Sequence, residues 1–471
     1  MKKIFFILFL FSGVFFLWNL GGTYLTNWDE AWYAGISRNM LQRGDFVTPF
    51  WNNAPYFDKG PLYHWFSVFF YQIIPNWEWA ARIPSALAGI GCVLLVFLLG
   101  KTLFNQKVGF MASLILASTI GFLFRARTGN FDAMVVFLLL ASFLFFFLAR
   151  KNSRYFLGLG ISLGLLFLTK SAFVFYPFMI FLVFSLWERN LRFYKNISSV
   201  LGLLFALLIP GIWLFLGVKE AGKPFFDFYL NLLFWPFSKF GSANEMSAHF
   251  SLKYLSYLFY GTKLWFFPFI PAFFFTLRKA FKDSHFLFLN LAFFPYFLIL
   301  LFTKEAGDWY LLPLYPIAAL IIGVFLVWLQ DKIFPQKIFA SLLIALIFFM
   351  AISQNLYFRS LFITPETLKN EVELSRLAKE LTKPAETIIV DDYYFPVASF
   401  YSERKIKVVR REAQDTALAL SRKSLYQLLT SKERVFLLTT SDNFAKIKND
   451  LPKILFKIEK QQDSHLLLTK P

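Results

Sequence analysis

Residues 27–65, NWDEAWYAGISRNMLQRGDFVTPFWNNAPYFDKGPLYHW, decide how the rest of the chain reads. The stretch lies between two long apolar segments. It carries an Asp-Glu pair (Asp29, Glu30), an Asp-Lys pair (Asp58, Lys59) and a histidine, His64. Loops that only join packed elements are usually short, and a protein that merely sat in a bilayer would have no use for so long a polar excursion. The stretch therefore reads as an active-site loop, and the remainder as its scaffold.

Composition sets the class. Of 471 residues, 57% are hydrophobic, 21% aromatic and 16% charged, whereas soluble domains are roughly half apolar and about a quarter charged. With a mean hydropathy of +0.54, the chain reads as a polytopic α-helical membrane protein. The net charge of +19 raises nucleic acid as a partner. The Lys and Arg residues gather instead in short clusters between apolar runs, which is the positive-inside pattern and argues for membrane lipids and against nucleic acid. The single cysteine, Cys92, sits in an apolar run and excludes both an intramolecular disulfide and a thiolate-cluster metal site.

Lys2 and Lys3 precede the apolar run 4–20, in which Phe, Trp and Leu stand where a cleavage site needs small residues. The run has the charge pattern of a signal peptide but reads as an uncleaved first span, with a cytoplasmic N-terminus expected. Further apolar segments near 78–100, 107–124, 131–149, 154–170, 172–187, 197–217, 252–277, 285–302, 309–329 and 338–355 bring the expected total to about eleven. Alternation through that count puts the basic clusters at 101–107, 150–154, 189–195, 278–282 and 332–337 on the side of Lys2 and Lys3. It puts 29–78, 125–132, Lys170, 219–249 and 303–308 on the outer face. Ionisable groups gathered at one face suit a site at one membrane surface, whereas a transport path needs them through the depth of the bundle. The organisation expected is thus a membrane domain over 1–356, with 21–77 its first outer loop, and a soluble outer domain over 357–471. That second part alternates helix and strand signals: helices near 366–382, 395–402, 421–430 and 442–449, strands at 387–390, 406–409 and 435–439, and a terminal strand pair near 454–460 and 464–469. It reads as a small α/β domain.

Asn27 followed three positions later by Glu30 has the spacing of a capping box, and 29–42 places Trp32, Ile36 and Met40 on one side of a helix, predicting an amphipathic helix in the interface. Asp29 and Glu30 either cap that helix and complement its dipole or carry chemistry. Asp58-Lys59-Gly60-Pro61 has turn chemistry, and His64 suits an interfacial residue hydrogen-bonded to a neighbour. Asp132 opens a span beside Asn130, Arg125 and Arg127, as either an N-cap or a site residue.

The run DEAWYAGISRNMLQRGDFVTPFWNNAPYFDKGPLYHW resembles the first outer loop of the aminoarabinose transferase and protein O-mannosyltransferase-like group of GT-C glycosyltransferases. LLFLTKSAFVFYP at 165–177 is similar to that family's Leu-Thr-Lys-Gly segment, and WYLLPLYPIAAL at 309–320 to its Tyr-Leu-Leu-Pro-Leu-Phe-Pro motif. The resemblance implies a GT-C fold and a polyprenyl-phosphate-linked sugar as donor. It also implies a lipid, glycan or protein acceptor at the outer face, as in lipid A modification or protein mannosylation, and inversion at the anomeric carbon. It makes Asp29 the first-loop acid, with Glu30 beside it and Asp132 as second carboxylate. Lys59 and Lys170 would contact the donor phosphate, with Arg125, Arg127 and Tyr310 as further candidates. Some members are associated with a metal ion near the loop acid, for which Asp58 and His249 are the candidate ligands. Departures are Trp32 where the aminoarabinose transferases commonly carry arginine, Asp58 for glutamate, Gly60 for the first proline, and KEAGDW at 304–309. The cations would stabilise a departing phosphate in a water-poor pocket, and Asp29 would take the proton of a hydroxyl acceptor; a phosphate acceptor would need no base. A lipid-linked sugar flippase would instead place polar groups in mid-span, and a non-catalytic envelope-glycan binder would leave the first-loop charges unexplained.

Overall fold

The structure is a computed structural model and describes residues 2–27, 29–189, 191, 194–239, 251–303, 307–333, 341–349, 352, 363–391, 395–410 and 418–470. In chain order the first elements are α1 (Lys2–Leu17), α2 (Asp29–Arg43), β1 (Phe50–Trp51), β2 (Ala54–Pro55), α3 (Leu62–Ile73), α4 (Trp77–Leu103), α5 (Gln106–Ala117), α6 (Ile120–Arg127) and α7 (Asp132–Ala149). There follow α8 (Tyr155–Phe167), α9 (Phe175–Trp187), α10 (Ile197–Ala221), α11 (Lys223–Lys239), α12 (Lys253–Thr262), α13 (Phe266–Ala280), α14 (Ser284–Leu291), α15 (Phe294–Leu301) and α16 (Leu314–Ile333). The chain then enters α17 (Glu366–Leu381), β3 (Thr387–Asp391), α18 (Phe395–Ser402), β4 (Lys405–Arg410), β5 (Ala419–Ser421), α19 (Arg422–Thr430), β6 (Val435–Thr440), α20 (Ser441–Asp450), β7 (Lys457–Gln462) and β8 (His465–Lys470). Two compact units result: Met1–Leu20 with Phe57–Tyr63 and Arg82–Arg359, and Gly21–Tyr56 with His64–Ala81 and Ser360–Pro471.

The first unit is a helical membrane fold. Among the described residues, six helical stretches are long and apolar enough to cross a bilayer: Trp77–Leu103, Asp132–Ala149, Ile197–Ala221, Lys253–Ala280, Ser284–Leu301 and Leu314–Lys332. The other expected spans take different forms. The stretch 107–124 is α5 and α6, bent by 65°. At the break the Ser118 and Thr119 hydroxyls turn back onto the carbonyls of Leu114 and Ile115, competing with the helical ladder. The segments 154–170 and 172–187 form short apolar helices; α8, with 13 residues, reaches ~20 Å at 1.5 Å per residue, less than the ~30 Å of hydrocarbon. Helix α1 has 16 residues. Most of 350–355, the end of the last expected span, lies outside the described residues.

The second unit centres on a six-stranded sheet of order β5-β4-β3-β6-β8-β7. The first four strands are parallel, with Ile388 opposite both Ile406 and Phe436; β8 runs antiparallel to β6, and β7 to β8. Continuous apolar runs such as VFLLTT in β6 suit strands covered on both faces. The boundary expected at 356 falls outside the described residues. Most of the first loop belongs to this second unit: Leu25, Ala31, Ala34, Tyr71, Leu368, Val372, Val397, Phe400 and Tyr401 share one core. Helix α2, expected as an amphipathic helix in the interface, is largely covered by protein. Glu30, Tyr33, Ile36, Ser37, Arg38 and Met40 are all buried, because α2 packs on α18.

Candidate active site

In the first unit, the Asp58–Lys59 turn, the end of α6, the start of α7, Lys170 and the 3-10 turn Asp308–Leu311 come together. The turn is held by its backbone: Leu62 N–H donates to Leu168 O at 3.1 Å, and Phe57 O accepts from Tyr229 Oη at 2.7 Å. A Cβ on Gly60 would lie 2.0 Å from that same Leu168 oxygen, so the glycine standing in place of proline is what lets Lys59 approach the Lys170 segment. Asn130 Oδ1 accepts from Asp132 N–H at 2.9 Å and sets the first turn of α7. There the buried Asp132 carboxylate pairs with Arg125, helped by the helix dipole.

Phe131 is the hub. Lys59 Nζ lies 5.5 Å and Lys170 Nζ 5.6 Å from its ring centroid. Lys170 also lies 4.8 Å from the centroid of Tyr310, and the Arg125 guanidinium 5.5 Å from that of Trp309. Asp132, Lys170, Phe173, Tyr296, Trp309 and Tyr310 line one small cleft. Burial, opposed by Asp132 and reinforced by Lys59, lowers the Lys170 pKa from its ordinary value; Asp58 and Arg125 add smaller, opposite effects. Three cations and the Asp132 carboxylate thus share one water-poor patch, with the exposed Asp58 paired to Lys59, an arrangement suited to a phosphate-sized anion. Phe131 and Trp309 were not singled out from the sequence, where nothing marks a tertiary cation–π contact.

Other expected residues are placed differently. Arg127, two positions from Arg125, donates to the carbonyls of Phe15 and Trp18 at the end of α1, which is a structural use of a cation at a helix C-terminus. Asp58 pairs with Lys59, and His249 lies outside the described residues. No group of three or more His, Cys, Asp or Glu able to hold a metal ion occurs among the described residues.

The second unit carries Asp29 at the first residue of α2, half-buried. Glu30 is buried, and its Oε2 accepts from Thr26 N–H at 2.9 Å and Thr26 Oγ1 at 2.8 Å. Both bonds run from Thr26 to Glu30, so the Glu30 carboxylate reaches back to the residue before Asn27 at the entry to α2. Trp32, at the position of the family's arginine, stacks on Trp51 with centroids 4.6 Å apart. His64 is buried with Nδ1 2.8 Å from Ser37 Oγ, and burial pushes its pKa down to about 3. The hairpin β1–β2 turns through Asn52 and Asn53, with φ of 51° and 64°, as a tight hairpin requires. Asn52 bonds both the N–H and the carbonyl of Ile406 on β4, at 2.8 and 2.9 Å.

Residues 58–214 match the family described as dolichyl-phosphate-mannose-protein mannosyltransferase. The undecaprenyl phosphate-alpha-4-amino-4-deoxy-L-arabinose arabinosyl transferase of Aeromonas hydrophila is 33% identical over 168 residues, 34% of this chain and 31% of the relative. That of Yersinia enterocolitica is 31% identical over 171 residues, 35% and 31% of the two chains. The matched region thus spans about a third of the length of these curated relatives. Among solved structures, ArnT from Cupriavidus metallidurans bound to undecaprenyl phosphate superposes with a TM-score of 0.77 at 15% identity, covering 99% of this chain and 98% of that one. The Archaeoglobus fulgidus oligosaccharyltransferase does so with a TM-score of 0.61 at 13% identity, covering 95% and 70%. These matches bear out the resemblance read in the sequence, and the chain has the fold of the two solved structures.

Proposed function

We propose that this protein is a membrane glycosyltransferase that transfers a sugar from a polyprenyl-phosphate-linked donor to a cell-envelope lipid, glycan or protein. The observation that carries the reading is the cluster of Lys59, Arg125 and Lys170 around Phe131, Asp132 and Tyr310. Preorganised cations in a dry site stabilise a leaving phosphate, and each such contact is worth about 10²–10³ in rate. In the reaction the bond between the anomeric carbon and the phosphate oxygen breaks, leaving polyprenyl phosphate. The acceptor oxygen attacks from the opposite face with inversion; the reading of Asp29 as the base that takes a hydroxyl acceptor's proton rests on the resemblance of the first loop. Lys59, Lys170 and Tyr310 hold the phosphate, and Asp132 fixes Arg125 beside it. A divalent ion would take Asp58 and His249 as its donors and would add positive charge at the phosphate; no step here depends on it. The topology inferred has about eleven spans, an inner N-terminus and an extracytoplasmic C-terminal α/β segment, supported by the agreement of the basic clusters along the alternation.

The test is mass spectrometry of envelope lipids, glycans and proteins from cells with and without the protein, repeated with Asp29→Asn. Wild-type cells are expected to contain a product one sugar heavier, reduced about 10²–10⁴-fold in the variant. Identical envelopes in all three, or translocated donor without product, would overturn the reading.

A further inference from the structure

The segment before α2 is tied to the C-terminal part of its own unit at successive residues. Tyr24 N–H donates to Thr364 Oγ1 at 3.2 Å, and Leu25 N–H to Tyr401 Oη at 2.9 Å. The Tyr401 hydroxyl donates in turn to Glu78 at 2.9 Å. Asn27 uses both ends of its amide: Nδ2 donates to Glu371 Oε2 on α17 at 2.9 Å, and Oδ1 accepts from Val397 N–H at 3.3 Å. Val397 lies in the first turn of α18, where helix N–H groups have no partner within their own helix. Asn27 thus supplies the cap of α18 from a distant part of the chain. Further along α2, Arg38 donates to Phe400 O at 2.7 Å and lies 4.3 Å over the Phe400 ring. Helix α2 is therefore fixed at its entry and along its length by α17 and α18.

Asp29 stands two residues beyond Asn27 on the first turn of this helix, so its carboxylate moves with that entry. A displacement of ~1 Å in a reacting group can cost about 100-fold in rate. We infer that Asn27 is a positioning residue for Asp29, and that by bridging α17 and α18 it makes the C-terminal α/β segment part of the catalytic apparatus. The inference rests on the reading of Asp29 as the acceptor's base.

The experiment uses the full-length protein in membranes, with donor supplied as a lipid extract. Asn27→Ala is expected to lower kcat about 10- to 100-fold while leaving half-saturation by donor unchanged, because none of the phosphate-contacting residues is altered. Assayed well above pH 7, where Glu371 is ionised, Asn27→Asp keeps the acceptor for Val397 but sets a carboxylate against Glu371, and lowers kcat likewise. Adding Glu371→Gln to Asn27→Asp restores a donor–acceptor pair and recovers most of the loss, which general destabilisation would not do. Wild-type kcat in Asn27→Ala, or no recovery in the double variant, overturns the inference. Asp29→Asn in the same preparations separates the two ideas. If it is active, the base assignment fails and this inference with it; if it is inactive while Asn27→Ala runs at full rate, only the positioning role fails.

Discussion

Around Lys170, charges share one another: Lys59 and Lys170 gather about Phe131 and Tyr310, the Arg125–Asp132 pair lies beside Trp309, and burial holds the Lys170 pKa down. Around α2, polar side chains are held by individual hydrogen bonds, Asn27 to Glu371 and Val397, Glu30 to Thr26, Arg38 to Phe400 and Asn52 to Ile406. A patch with surplus positive charge gains from an added anion, whereas a set of paired groups gains only rigidity. The first is how a chain builds a binding surface, and the second is how it builds a mount.

That contrast can be broken at its charged end first. Lys170→Met is expected to slow transfer about 10²–10³-fold without lowering the thermal unfolding midpoint, since the substitution removes a buried charge. A loss under tenfold would remove Lys170 from the phosphate site. Because its pKa is lowered, wild-type activity should fall with rising pH earlier than an ordinary lysine would dictate, and Lys170→Arg should move that limb upward. The two arginines of α6 sharpen the comparison. Arg127→Ala should cost about 1–3 kcal/mol of stability with the rate per folded molecule intact, whereas Arg125→Ala should slow each folded molecule about 10²–10³-fold and also destabilise, because it strands the buried Asp132 carboxylate; equal kinetic defects would place both in the site. The smallest effect belongs to the mount. Burial, partly offset by the bond from Asn27, pushes the Glu371 pKa from 4.5 to about 7, so the folded chain keeps a proton that the unfolded chain has released. Stability should therefore decline as pH climbs from 4.5 to about 7 and level off above, on the order of 1 kcal/mol after screening. Glu371→Gln should flatten that slope in unfolding scans at successive pH values.

The C-terminal α/β segment was legible almost element by element, because its apolar runs and helical periods are local signals. Expected helices at 366–382 and 395–402 are α17 and α18, and strands at 387–390 and 435–439 are β3 and β6. Among the described elements of this segment, β5, three residues long, gave no readable pattern. The packing of α2 was illegible for the opposite reason. Its apolar stripe predicts a half-exposed helix, and no nearby residue announces the covering α18. In the candidate site, Lys59, Asp132 and Lys170 were found through motifs, and the structure brings these three together. Arg125 and Arg127 look equivalent in sequence, yet residues two apart on a helix do not share a face, and one meets Asp132 while the other caps α1.

The separation between Asn27 and Glu371, 344 positions along the chain, also has a consequence for biogenesis. At roughly 5–20 residues per second, the ribosome needs about 20 to 70 s after making Asn27 to make its partner. Throughout that interval the newly inserted first loop waits outside the hydrocarbon with its mount still unwritten. Final assembly of the Asp29 helix must then come late in synthesis, so a stalled or prematurely stopped chain would insert its early helices and still be inert.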